Sequence, residues 1–495
     1  SIIAGEDSRS TKFTYSGYKR LLHETDPEGY TSSYSYYADG LIHTHKNMDG
    51  IESEYEYDAF QHPIKETIGN KKHIEVSRWS NGIIGAPENS LYLTVSQTEG
   101  EGAVITFYDS LGRKLREKTQ VFGGKSIYRD WVYNPNGTIT KESLPYFSDD
   151  IPKWNTFNYD GVERMVKKTF FDGKTETPTY VSNGRGEVTE YGHESYDRYG
   201  HYSLTGTNAY GQRIKVYEND YRTIDYIYDS NGLCTSIKAP GKTINMGYDG
   251  RGNRTSLDDP DTGEYVFTYN GFGQKKTKSN LGGNNVIEYE YDNAGQMISM
   301  AADDCAHEYT YHTSRKGVLL SSSYDSSASD ICNIYYEYDD QNNPIKEIRT
   351  DGNKEYTTEF EYEQYGRPST ITYPNGLKIT KVYDQNGVVS MIKSGQTTIW
   401  TRKTVNEQGI TTNALLGNGI AVSRTYDKMS GNLSAITHGD FLSHGYAFDD
   451  AGNIASISTN SDLKETFTYD KLDRLTAVSL NGETKLEIKY DRSGN

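Results

Sequence analysis

Apolar and polar residues alternate with a period of two in short runs along almost the whole chain, and each run ends in similar punctuation. In Val286-Ile287-Glu288-Tyr289-Glu290-Tyr291-Asp292-Asn293-Ala294-Gly295, Tyr289 and Tyr291 fall on one face and Glu288 and Glu290 on the other, which is the pattern of a half-buried strand. Asp292 then opens a turn in which its carboxylate accepts a backbone N–H two residues on, and Gly295 supplies the positive φ that a type I turn followed by a bulge requires. A second strand follows, Gln296-Met297-Ile298-Ser299-Met300. Elsewhere that second strand runs into another turn, such as Asp26-Pro27-Glu28-Gly29, Leu281-Gly282-Gly283-Asn284, Pro374-Asn375-Gly376 or Asn481-Gly482-Glu483. Two strands and two turns make one unit.

The unit recurs. The motif Y-D-x-x-G has anchors at Tyr228, Tyr248, Tyr269, Tyr291, Tyr383, Tyr426, Phe448, Tyr469 and Tyr490, several of them 20 to 22 positions apart. The motif residues assigned a structural role are Tyr228, Asp229 and Gly232; Tyr248, Asp249 and Gly252; Tyr291, Asp292 and Gly295; Tyr383, Asp384 and Gly387; Tyr469 and Asp470; and Tyr490, Asp491 and Gly494. Looser copies at Tyr36, Tyr57, Tyr108, Tyr133, Tyr159, Tyr180, Tyr196, Tyr338 and Tyr362 fill the gaps and extend the array to the N-terminal end.

A lone hairpin is marginal in water, so consecutive units are expected to add edge to edge and stack their aromatics into one ladder. About 20 units of two strands, spaced roughly 4.8 Å apart, would make a ribbon about 200 Å long, and sheets of that extent twist and curl. The expected fold is therefore all-β: tandem hairpin repeats forming a long spiralling sheet, a hollow shell or barrel-like wall with a lumen too wide for side chains to fill. Residues 1–495 read as one continuous repeat segment of something longer. The period lapses near 71–107 and 144–158, which are expected to be plugs, loops or contacts between winds.

Composition explains how such a chain buries surface with few aliphatic residues. It has 44 Tyr and 48 Gly beside 12 Pro, and only 34% hydrophobic residues. Tyr favours strands and brings a large apolar area with a polar tip, so it stands in for an aliphatic core in sheets wetted on one side. A formal charge of −17, with no Lys/Arg cluster, excludes a phosphate-binding surface and hence a nucleic-acid partner. No stretch approaches the roughly 20 apolar residues of a membrane helix. Cys234, Cys305 and Cys332 are too scattered for a disulfide framework.

Tandem units such as Tyr248-Asp249-Gly250-Arg251-Gly252-Asn253-Arg254 and Phe448-Asp449-Asp450-Ala451-Gly452-Asn453-Ile454 resemble the YD repeats of Rhs proteins, a family that includes teneurins and the B and C components of bacterial insecticidal toxin complexes. The passage Ser143-Leu144-Pro145-Tyr146-Phe147, with Trp154 and Tyr159-Asp160 after it, is similar to one found in the same family. The resemblance implies a hollow β-shell that encloses a C-terminal toxin or effector polypeptide, with neighbouring shell segments of the same or a partner protein as its other contacts. It also implies a secreted or cell-surface location in bacteria. For the teneurin branch it implies cell-surface adhesion, and exposed Trp79, Trp131, Trp154 and Trp400 make glycans possible ligands of such a module. Many bacterial members close with a core whose D-P-x-G motif and aspartyl protease activity release the toxin. Here Asp26-Pro27-Glu28-Gly29 lies between two repeats, where a turn accounts for it, and Asp258-Asp259-Pro260-Asp261-Thr262-Gly263 has the wrong spacing.

Little else in the chain suggests chemistry. His43 and His45 share a strand face, but no carboxylates are spaced to complete a metal site with them. Asp303, Asp304, Cys305, His307 and His312 lie close in sequence, with nothing to converge them. Carboxylate pairs suited to glycoside hydrolysis are lost among the Asp and Glu that every repeat supplies for structure. No nucleotide, zinc, esterase or calcium motif occurs. The sequence thus predicts no catalytic residue, no cofactor and no metal, and a chain that is not an enzyme.

Overall fold

A computed structural model describes all residues except 1, 5–6, 70, 184–189, 197–199, 219–221, 327–330, 429, 461 and 491–495. The described residues form 47 strands and a single 3-10 turn, Phe122–Gly124. Strand order follows chain order through a 16-stranded and a 29-stranded sheet, and a 2-stranded ribbon, Ile2–Ala4 with Asp7–Arg9, precedes them. All the described pairings are antiparallel, as in Tyr228↔Cys234, Tyr291↔Met297 and Tyr383↔Val389.

The residues of the repeat explain this regularity. In the strand Ile287–Tyr291, Glu288 and Glu290 are exposed while Tyr289 and Tyr291 are half-buried, as their alternation predicts. In hairpin after hairpin the register shifts at the motif tyrosine, for example between Ile227 and Tyr228, Glu290 and Tyr291, and Thr468 and Tyr469. That shift is the bulge expected beside a turn whose last residue has positive φ, such as Gly232 at 82°.

Chain contacts group into two units, each assembled from separate stretches. The first comprises Ser1–Ser77, Thr94–Ala103 and Gly247–Thr397. Within it, turns near the N-terminus dock on turns almost three hundred residues away. Lys316 Nζ lies 2.7 Å from Asp26 Oδ2, the Tyr30 hydroxyl donates to His312 O at 2.8 Å, and Arg367 Nη1 donates to Gly100 O at 2.7 Å. The second unit comprises Arg78–Leu93, Val104–Met246 and Thr398–Asn495. Within it, Lys174 Nζ donates to Asp450 O at 3.1 Å, and His201 Nε2 sits 3.1 Å from Asp473 Oδ2.

Among the described residues buried apolar side chains are few, and they concentrate in the second unit where the period lapses. Leu93, Phe107, Tyr128, Tyr146 and Phe147 are all buried, Phe107 completely. The short strand Tyr146–Phe147 leaves the repeat to pair with Ile127 and Tyr128. Around 71–107 the departure is narrower than the sequence suggests. Lys71–Trp79, Tyr92–Thr98 and Val104–Tyr108 are regular strands, and residues 80–91 carry the excursion.

Candidate functional site in the repeat turns

Most of the described repeat turns are built around one acidic or amide side chain, and the Ser16 hydroxyl takes that place in the turn of Lys19. In Asp229-Ser230-Asn231-Gly232-Leu233, Asp229 Oδ1 accepts the backbone N–H of Asn231 and of Leu233, both at 2.9 Å. The Asp229 N–H closes on Leu233 O at 2.9 Å, and the Gly232 N–H on Asp229 O at 3.1 Å. Asp249 and Asp384 repeat this cradle with the N–H groups two and four residues on, and so does Asp470. Asp292 accepts from Gln296 N at 2.7 Å, with Gly295 N on Asp292 O. The sequence places Gly252 and Gly387 as the residues of positive φ, and they have φ of 86° and 78°. Asp491 and Gly494 lie outside the described residues.

The tyrosine before the acid has a second task. Its phenol reaches back across a strand and donates to a carbonyl at the start of the preceding hairpin arm. Tyr228 bonds Arg213 O at 2.8 Å, Tyr383 bonds Pro368 O at 2.7 Å, Tyr469 bonds Ile454 O at 3.0 Å and Tyr490 bonds Leu475 O at 2.9 Å, each across 15 positions. Burial pushes the phenols of Tyr228, Tyr383 and Tyr469 above the ordinary tyrosine value, so they stay protonated further into the alkaline range than a free tyrosine would. Tyr469→Phe is therefore expected to cost about 1 kcal/mol, the net worth of one neutral hydrogen bond, with faster amide exchange confined to the Ile454 and Tyr469 strands. Uniform exchange across the chain would contradict it.

One position escaped sequence reasoning. The residue four after the acid sends its side chain back to it: Arg113 Nε to Asp109 Oδ2 at 2.7 Å, Asn253 Nδ2 to Asp249 Oδ2 at 2.8 Å, Gln296 Nε2 to Asp292 Oδ2 at 2.6 Å and Arg474 Nε to Asp470 Oδ2 at 2.7 Å. Some also bridge to the next repeat, as Gln212 Nε2 does to Gly232 O at 3.0 Å. The signal was present, because Arg, Asn or Gln recurs four residues after the acid.

These bonds hold several turn acids below the ordinary carboxylate range. The Asn253 side chain does so for Asp249, the Arg164 backbone N–H for Asp160, and the Arg367 guanidinium for Glu363. A group with a depressed folded pKa contributes stability that is complete above its unfolded value, near pH 4, and is lost as pH falls through the folded value. The urea midpoint should hold from pH 7 to pH 5 and fall at pH 3. An equal midpoint at pH 7 and pH 3 would rule out this role for the acids.

His43 Nε2 lies 3.4 Å from Glu54 Oε1, and His45 stacks on Tyr34 at 4.5 Å. Cys305 and His307 share one strand, Asp303 and Asp304 form the turn before it, and His307 packs against Tyr324 at 4.8 Å. His312 lies beyond that strand, where its Nδ1 accepts the Ser314 N–H at 3.1 Å. Asp26 of the D-P-x-G stretch accepts from Glu28 N and Tyr30 N, both at 3.0 Å, and Asp259 accepts from Asp261 N at 2.9 Å, so both stretches are turns. Trp79 is 72% exposed, whereas Trp131 donates to Glu142 at 3.0 Å with Lys114 over its ring; Trp154 and Trp400 are half-buried. Among the described residues no group of three or more His, Cys, Asp or Glu could hold a metal ion, and no helix is long and apolar enough to cross a membrane.

The repeated turn, the phenol bond and the antiparallel ladder together make a tandem β-hairpin repeat protein. Residues 228–264 match the RHS Repeat family model. Human teneurin-4 is 27% identical over 199 residues, covering 37% of this chain and 6% of teneurin-4. The crystal structure of TcdB2-TccC3 has the same fold, with a TM-score of 0.71 at 13% identity, covering 94% of this chain and 31% of that one. A Photorhabdus luminescens Tc holotoxin pore with a mutated TccC3 matches at a TM-score of 0.62 and 13% identity, covering 94% of this chain and 32% of that one. The chain thus spans about a third of the solved chains it matches.

Proposed function

We propose that the chain is a structural segment of an RHS/YD-repeat shell that encloses a toxin or effector polypeptide and helps deliver it, without catalysing a reaction itself. The observation that carries this reading is surface. A compact protein of this mass would expose about 18,000 Å², whereas this chain exposes 29332 Å². A sheet one layer thick has that excess, and a wall is what such a sheet can be. The turn acids described above are occupied by backbone N–H groups and neighbouring side chains, which supports architecture over chemistry. The fold shared with TcdB2-TccC3 and the Tc holotoxin pore supports a shell segment of a toxin complex.

Limited proteolysis of the full-length protein tests this. The enclosed polypeptide should survive while the same polypeptide expressed without the repeats is digested. Equal digestion rates would defeat the proposal. A second reading, a cell-surface adhesion or glycan-binding module, is favoured by Trp79 and Ile84, which are 72% and 91% exposed beside an ordered turn network. On that reading Trp79→Ala abolishes binding to a glycan array or cell surface; on the shell reading it leaves cargo protection unchanged.

A further inference from the structure

The fourth residue of the repeat turn is usually glycine, because its φ is positive. In five described turns another residue takes the place: Lys19 at 60°, Gln61 at 67°, Glu163 at 64°, Asn342 at 60° and Asp473 at 58°. Each donates its N–H to the residue three before it, as the glycines do. Such a conformation disfavours a side chain, less so for Asn and Asp than for Lys, Gln or Glu, and glycine relieves it in every case. Strain of this kind persists where something else holds it, and it then marks a place with a role.

The five separate into two kinds. Lys19, Gln61 and Glu163 are exposed. Asn342 and Asp473 are half-buried, and their side chains reach distant parts of their own unit. In the first unit, Asn342 Nδ2 donates to Asp49 O at 2.9 Å, across 293 positions. Its Oδ1 accepts from Arg315 Nη1 at 2.8 Å, and that nitrogen also donates to Asp339 O at 2.9 Å. Arg315 packs under the same docked turn, since a Cβ on Gly50 would meet its side chain at 3.2 Å. In the second unit, Asp473 Oδ2 lies 3.1 Å from His201 Nε2, and Oδ1 accepts from Asn453 Nδ2 at 2.8 Å. A glycine would satisfy either turn and make none of these bonds.

We propose that Asn342 and Asp473 are latch residues. Their side chains stand at a turn position that glycine fits with less strain because each ties together two distant stretches of its unit, and each unit opens first at these turns when the tie is lost. The proposal stands independently of the shell reading, since it concerns only ties within each unit.

Substitution by glycine separates a latch from an ordinary turn residue by sign. Hydrogen exchange of the full chain should show amides at 47–52 opening about tenfold faster in Asn342→Gly, and those at 201–207 about tenfold faster in Asp473→Gly, for ties worth about 1.4 kcal/mol. Glu163→Gly and Gln61→Gly should leave distant amides unchanged and slow exchange within their own turns. His201→Ala, which leaves the Asp473 turn intact, should reproduce the opening at 201–207. Latch variants that exchange no faster than the parent at these distant amides, or His201→Ala without effect there, would overturn the proposal.

Discussion

Asp130→Ala is expected to lower the stability of its unit by about 3–5 kcal/mol, because it removes one partner of a buried ion pair and strands the other. Arg116 and Asp130 are only 18% and 12% exposed, and they meet through two bonds, Nε to Oδ1 at 2.6 Å and Nη2 to Oδ2 at 2.7 Å. The Tyr146 hydroxyl donates to Asp130 Oδ2 at 2.6 Å, and burial, with the neighbouring carboxylate, pushes that phenol well above its ordinary value. Ser143 Oγ accepts the Asp130 N–H at 2.8 Å, and Arg116 Nη1 donates to Gly85 O at 2.9 Å. One network thus fastens both excursions from the repeat, 80–91 and 144–153, onto the sheet beneath them. Its loss should expose both stretches to protease before the rest of the chain. A double change to apolar residues, Arg116→Met with Asp130→Leu, should recover much of the stability, since no charge is then left buried alone. An Asp130→Ala protein with an unchanged urea midpoint would show that the network holds nothing.

Phe107→Ala should cost about 3–5 kcal/mol, the range for emptying a fully buried aromatic site. Phe107 has no exposed surface, and Leu93, at 2%, is buried in the same stretch. The contrast with Phe13, which is 49% exposed, is the informative one: Phe13→Ala should change stability by no more than about 0.5 kcal/mol. Thermal unfolding of the two variants side by side measures the difference. Equal losses would mean that the sheet has no local core at the lapse in the repeat.

The repeat was legible because its signals are local. Alternation of Tyr and Glu fixes which face of a strand is half-buried, and Asp with Gly fixes the turn, so Glu288 to Gly295 could be read without any distant contact. The phenol bonds were not legible, because they depend on a carbonyl one hairpin away, and a tyrosine on a strand already has a sufficient reason in its burial. Phe448 at a motif position obscured the role of the hydroxyl further. The back-bond from Arg113, Asn253, Gln296 or Arg474 was hidden by chemical variety: three residue types share a planar N–H donor and little else. The ties across each unit, such as Asp26 with Lys316, join residues 290 positions apart, and no local pattern encodes them. The stretches near 71–107 and 144–158 were recognisable as departures, but the narrower excursion at 80–91 and the pairing of Arg116 with Asp130 were not, since ordinary strands also carry Arg and Asp.

We propose that the Tyr-Asp motif builds a wall and performs no reaction. Nature has already placed Asn in the acid's position at Asn208, Asn270 and Asn406, where it accepts the same two backbone N–H groups. The most direct test is the full-length protein carrying Asp229→Asn, Asp249→Asn, Asp384→Asn and Asp449→Asn together, assayed for protection against protease of the polypeptide it is proposed to enclose. An intact β-sheet signal and protection equal to that of the parent are expected, whereas loss of protection with the sheet intact would show that the acids do more than build turns.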